Sequence, residues 1–141
     1  MLIIIILPPF FINLGRVLFY IFFLGCVLDP VGVSHSSVIS DQRFSAPSSI
    51  ECGNPSDGRL EGTNAWIPAP NNDNNDSLQI DLGSLYFICG VATQGNPNGN
   101  DWTKTYKIKT SLDNVEWTFY SEGGSEKVHF FFALGEVIAK L

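Results

Sequence analysis

Leu78, Ile80 and Leu82 alternate with Gln79 and Asp81, and Tyr106, Ile108 and Thr110 alternate with Lys107 and Lys109. A period of two places successive side chains on opposite faces of an extended chain. The pattern predicts two half-buried strands, the second with its lysines in water. Between them, Tyr86 to Val91 is almost wholly apolar, which suits a central sandwich strand buried on both faces. Asp113-Asn114 predicts a turn into a further run from Trp117 to Tyr120. After residue 30 no stretch repeats convincingly at helical spacing. Short strands separated by turn residues predict an all-β sandwich.

The polar intervals are long. Residues 29–60 are rich in Ser, Pro and Gly, with Val38, Ile39 and Phe44 as the main apolar points. Ser45 to Asp57 reads as one long loop that meets the Asp57-Gly58 turn signal. Gly95 to Asp101 is G-N-P-N-G-N-D, with Trp102 directly after it. Such a loop cannot pack a core of its own, so it protrudes or covers the end of a barrel. Recognition residues often ride on loops of this kind. Trp102 therefore has two readings, a cap on the core or an exposed contact. Trp66 and Trp117 are expected in the core, where indoles supply much of the buried area of a small β domain. Arg59 reads as a structural ion-pair or backbone-bonding partner.

Residues 1–28 change the picture of the whole chain. They hold no acidic residue and one basic residue, Arg16. Two readings compete for residues 1–25: a secretory signal peptide with its apolar core from Val17 to Leu24, or an uncleaved signal anchor. Either sends the rest of the chain to a secreted or extracellular location. A faulty gene start is a third reading. The whole chain has 8 basic and 14 acidic residues, a net charge of -6. That balance excludes nucleic acid as a partner, because phosphate binding needs a clustered basic face.

Candidate chemistry is sparse. Three cysteines, Cys26, Cys52 and Cys89, leave at least one without an internal partner. Cys89 reads as a buried small hydrophobe, with a disulfide to Cys52 as the rival. No C-x-x-C is present, and His35 and His129 lie far apart, so no metal site is expected. Asn71 to Ser77, N-N-D-N-N-D-S, reads as a solvated loop and lacks the frame of a calcium loop. No cofactor is expected. Asn75-Asp76-Ser77 is the one glycosylation acceptor pattern. Asp81, Asp101 and Asp113 supply carboxylates, but no motif sets two of them at a cleft as a glycosidase requires. The chain is not expected to be an enzyme.

Several strings resemble the coagulation factor V/VIII type C, or discoidin, domain. L-Q-I-D-L-G at 78–83 and G-V-A-T-Q-G at 90–95 are the most specific. C-V-L-D-P-V-G-V at 26–33, I-S-D-Q-R-F-S-A at 39–46, G-R-L at 58–60 and N-A-W at 64–66 are similar to the family's first half. Y-K-I at 106–108, S-L-D at 111–113 and W-T at 117–118 complete the pattern. The resemblance runs from 26 to 128 and leaves 129–141 as a divergent C-terminal segment.

The resemblance implies a discoidin jelly roll, a distorted antiparallel barrel with loops at one end, here with its last strands apparently missing. It implies an extracellular adhesion or recognition module, not an enzyme. Its partners would be glycan, protein or membrane phospholipid head groups. Some relatives hold a loop with calcium, but no matched ligand set is visible in this chain. Carried over by position, the first binding loop falls at Ser49, Ile50 and Glu51. The second falls at Asn96, Asn98, Asn100, Asp101 and Trp102. Only Ile50 and Trp102 are bulky and apolar there, which favours a polar ligand over an inserted membrane anchor. The family's closing cysteine, usual partner of the opening one, has no counterpart here. The alternative is an incomplete fragment of a larger adhesion protein with no activity of its own.

Overall fold

The structure, a computed structural model, describes residues 3–7, 30–70, 76–130 and 137–140. Its strands are β1 (Ile3–Leu7), β2 (Phe44–Ser45), β3 (Gln79–Ile80), β4 (Phe87–Thr93), β5 (Thr105–Tyr106), β6 (Lys109–Thr110), β7 (Thr118–Phe119), β8 (Ser121–Glu122), β9 (Ser125–Glu126), β10 (His129–Phe130) and β11 (Val137–Lys140). Among the described residues, helix is confined to two 3-10 turns, Asp41–Arg43 and Pro55–Gly58. The fold is all-β, as the alternation predicts. The strands form one three-stranded sheet, β1-β4-β11, and four two-stranded ladders. This is consistent with the all-β discoidin fold that the resemblance implies, and no closed barrel is formed among the described residues.

β4 is the longest strand because its apolar run can be covered on both faces. It lies at the centre of the three-stranded sheet. β1 pairs with it antiparallel from Ile3↔Ala92 to Leu7↔Phe87, with a register shift between Ile5 and Ile6. β11 pairs on the other side, from Val137↔Thr93 to Lys140↔Gly90. Residues read from sequence as leader thus include a strand, while Val17 to Leu24 lie outside the described residues. The segment read as divergent supplies β10 and β11, and β10 pairs His129 with Tyr106.

One cluster of buried residues joins Val31, Val33, Ile39, Phe44, Ala65, Trp66, Leu78 and Ile80. Leu60, Leu82, Tyr86 and Ile88 pack against it. The β3 alternation is visible in burial: Leu78 and Ile80 are inside while Asp81 is exposed. The second alternating run is broken at its centre. Ile108 is 0% exposed and sits between β5 and β6, where its carbonyl accepts a 2.9 Å hydrogen bond from Tyr120 N. Lys107 and Lys109 face water on either side, as expected.

One core assignment, Trp117, needs correction, and the core takes in residues that the main apolar points did not include. Val38 is exposed, whereas Val31 and Val33, set in a turn without alternation, belong to the core. Trp117 is 42% exposed, not buried. It directly precedes β7, which pairs with β6 over only two residues, Lys109↔Phe119 and Thr110↔Thr118. So short a ladder leaves the indole without a covering layer.

Arg59 anchors the underside of the core. Its Nη1 donates to Val33 O at 2.8 Å and its Nη2 to Ile39 O at 2.5 Å. Nε and Nη2 both reach Asp41 Oδ1, at 3.2 and 2.6 Å. The guanidinium also lies 4.4 Å from the centre of the Phe44 ring. A buried arginine needs such a full set of acceptors, and this one joins four points of the segment from 33 to 59. A second pair, Arg43 with Asp81 at 3.0 Å, ties the start of β2 to the end of β3. Gly83 sits directly behind it at φ +76, where any Cβ would run into the Arg43 guanidinium.

Candidate binding loops

The first loop, residues 46–54, leaves β2 and returns to the 3-10 turn at 55. It is stitched to the strand-like segment 66–69. Ile50 N donates to Ile67 O at 3.0 Å, and Ile67 N donates back to Gly53 O at 3.3 Å. The buried Trp66 donates its Nε1–H to Ser48 O at 3.1 Å. Ser48 Oγ accepts from Ala69 N at 3.2 Å. Buried indoles seek such a partner for their N–H, so the core itself holds the base of this loop. Ser49 and Glu51 are exposed at its tip, whereas Ile50 is half-buried. A Cβ on Gly53 would stand 3.1 Å from Ile50 Cγ1, so the isoleucine packs along its own loop.

The second loop, residues 94–102, continues from β4. Asn96 N donates to Asp101 O at 2.9 Å, closing the loop at its neck. Asn98 N donates to Asn96 Oδ1 at 2.9 Å. The Asn98 amide then reaches out of the loop, to Thr63 O at 2.6 Å and Asn64 Oδ1 at 3.0 Å. Gln94 Oε1 accepts from Glu61 N at 2.6 Å. That bond holds Glu61 at φ 59, a conformation that a non-glycine residue rarely adopts.

The two loops are therefore fastened to opposite ends of one segment, 61–64 for the second and 66–69 for the first. Sequence reasoning named both loops but missed this shared clamp. Its contacts are backbone and side-chain bonds across 14 to 35 residues, for which no local pattern exists.

Of the residues proposed from sequence, Asn96 and Asn98 spend polar groups on the loop and its clamp. Asn100, Asp101 and Trp102 are exposed on the outgoing side. Trp102 is 41% exposed. Cys52 is an exposed free thiol. Asn75 lies outside the described residues. Among the described residues no group of three or more His, Cys, Asp or Glu is placed to hold a metal ion. No helix among them is long and apolar enough to cross a membrane.

A shallow cleft of about 170 Å³ opens beside the first loop, lined by Ser45, Ala46, Pro47, Ser77 and Gln79. Its walls carry hydroxyls and one amide but no carboxylate or imidazole. They offer hydrogen bonds without a general acid or base.

Comparison with known proteins fits this arrangement. The F5/8 type C domain family matches residues 43–140, so the match continues through β10 and β11. The chain is 36% identical over 121 residues to lactadherin of Mus musculus, covering 74% of this chain and 26% of that protein. It is 35% identical over 108 residues to neuropilin-2 of Homo sapiens, covering 70% and 11%. With coagulation factor VIII of Canis lupus familiaris the figures are 32% over 118 residues, 74% and 5%. The chain thus spans about a quarter of the lactadherin length. A match across 43–140, together with an all-β fold and the strings at 78–83 and 90–95, places this chain in the F5/8 type C, or discoidin, domain family.

Proposed function

We propose that this chain is an extracellular, non-catalytic recognition module that holds a glycan on its two clamped loops. The observation that carries this reading is Trp102, an indole left 41% exposed at the end of a loop rich in asparagine. An aromatic face packs against the C–H side of a sugar ring, and asparagine amides both donate and accept hydrogen bonds. Ser49 and Glu51 on the neighbouring loop add a hydroxyl and a carboxylate. Both loops are tied to residues 61–69, so their shape is set before the ligand arrives. Such preorganisation lowers the entropy cost of binding.

A phospholipid anchor is less well served by these loops. Ile50 is half-buried, which leaves Trp102 as the one large apolar group they offer, between asparagines and an aspartate. A chain of net charge -6 also gains little from an anionic lipid surface.

The test is binding to an immobilised panel of glycans, by the natural chain and by Trp102→Ala. The expected outcome is a loss of about tenfold or more in affinity with an unchanged thermal melt. If Trp102→Ala unfolds the domain, the indole is structural and the loop reading fails. Retained glycan binding in a folded Trp102→Ala variant would move the site elsewhere, the cleft at Ser45 and Gln79 being the next place to look.

A further inference from the structure

The second loop contains the chain's one Asn-Gly pair, Asn98-Gly99. A glycine has no Cβ to shield its backbone nitrogen, so that nitrogen can reach the side-chain carbon of the asparagine before it. Both residues are exposed. Gly99 N donates to Asn96 O at 3.3 Å, longer than the usual N–H···O bond, so the nitrogen is loosely held. The loop itself demands this glycine. A Cβ there would stand 3.0 Å from Asn96 Nδ2 and 3.0 Å from Asp101 Oδ2. The residue that lets the loop close tightly thus also opens its asparagine to attack.

Asn98 is the residue that fastens this loop outward. Its Nδ2 donates to Thr63 O at 2.6 Å and to Asn64 Oδ1 at 3.0 Å. Both bonds lie in the open, where water competes for them and local opening frees the amide. As they stand, both partners need a donor at position 98. An ionised carboxylate only accepts. Asn64 can turn its amide around to donate, but the Thr63 carbonyl has no other role to take. A negative charge at 98 would also join the Asp101 carboxylate that already lies beside Gly99.

We propose that Asn98-Gly99 is a self-modifying site, whose deamidation in the folded chain unfastens the second loop from residues 63 and 64. Gly99 N attacks Asn98 Cγ and forms a bond to it. The Cγ–Nδ2 bond breaks, and Nδ2 leaves as ammonia with the proton from Gly99 N. Water then opens the cyclic imide at either carbonyl, giving aspartate or isoaspartate, and the new acid releases its proton at neutral pH. The isoaspartate product routes the main chain through the former side chain. That lengthens the path between Asn96 and Asp101, whose 2.9 Å bond closes the neck. Asp57-Gly58 is open to the same imide in principle, but Gly58 is buried and Asp57 Oδ2 accepts from Asn54 N at 2.9 Å within a capped 3-10 turn. The inference does not depend on glycan binding at either loop.

The test ages the full chain at mildly alkaline pH without any ligand. Peptide mapping by mass spectrometry reads ammonia loss and isoaspartate at each position, and amide hydrogen exchange reads the loop. Conversion is expected at Asn98 before any other asparagine, with no isoaspartate at Asp57. Asn98→Gln, whose longer side chain does not close the same ring, should stay intact. In the converted chain, and in Asn98→Asp, the Asn96 and Asn98 amides should exchange about tenfold faster than in the fresh chain, with the thermal melt unchanged. An Asn98 that survives in the folded chain but converts in urea would overturn the proposal, because the loop then protects the pair. So would a converted chain with unchanged exchange at Asn96 and Asn98, whose clamp holds without the amide. A converted chain that loses its cooperative melt would overturn it as well, since the bonds to 63 and 64 would then belong to the fold and not to a releasable fastening.

Discussion

Three tryptophans in this chain have three different fates. Trp66 is buried and donates to Ser48 O; Trp102 and Trp117 stand about equally exposed, one beside a binding loop and one beside the 111–117 turn. Residue type alone could not separate them. Trp66 gains a core because Ala65 and Leu78 lie in the same cluster, whereas the partner of Trp117 is a two-residue ladder. Arg59 was legible as structural, and its removal should be severe. Arg59→Met leaves Val33 O and Ile39 O without their buried donor and Asp41 without its cation. Breaking a buried charged network of this kind costs about 3–5 kcal/mol, and denaturant unfolding should show a loss of that size. Asp113 makes a gentler test. Hydrogen bonds from Val115 N, then Glu116 N, then Ser111 hold its carboxyl below the usual 3.8. A depressed folded value means that its contribution is present above the unfolded value and fades as pH falls through the folded one. The difference in melting temperature between the natural chain and Asp113→Ala should therefore be constant above about pH 4 and shrink in stronger acid. A difference unchanged at about pH 2 would contradict this.

At the scale of elements, strict alternation was the dependable signal. It located β3 and the Tyr106–Thr110 run, including the outward lysines, because period two maps directly onto burial. It did not show that the second run is interrupted at Ile108, since a break in backbone pairing leaves the side-chain pattern intact. Ile108 is nonetheless the residue on which β5, β6 and Tyr120 converge. Ile108→Ala should cost about 2–5 kcal/mol as a core truncation, while Lys109→Ala should cost almost nothing by the same urea titration. Equal effects would mean that the strand faces are misassigned. One turn went unnamed in the sequence reading although its residues carry the local signal. Gly123 and Gly124 both have positive φ, as a two-residue hairpin between β8 and β9 requires. Pairings with no local pattern were invisible, above all β1 and β11 on either side of β4. Each is a short apolar segment far from β4 in sequence, and nothing in its composition names its partner.

For the molecule as a whole, the family was legible because its most specific strings lie in one central stretch, from 78 to 118. The ends were not. The family match begins at residue 43 and reaches residue 140, later and further than the strings alone mark it. The two loops were legible as loops but not as a clamped pair, because the clamp is made by long-range backbone and side-chain bonds to residues 61–69. The account's central claim is that a formed core presents Trp102 on a preset loop for ligand. The most direct measurement is nuclear magnetic resonance of the three indole N–H groups, assigned with Trp102→Phe, before and after addition of a glycan that binds on the panel. The account predicts a Trp66 signal protected from solvent exchange, two rapidly exchanging signals, and a glycan-induced shift of the Trp102 signal alone. A Trp66 signal that exchanges as fast as the others, or a glycan shift that spares Trp102, would contradict it.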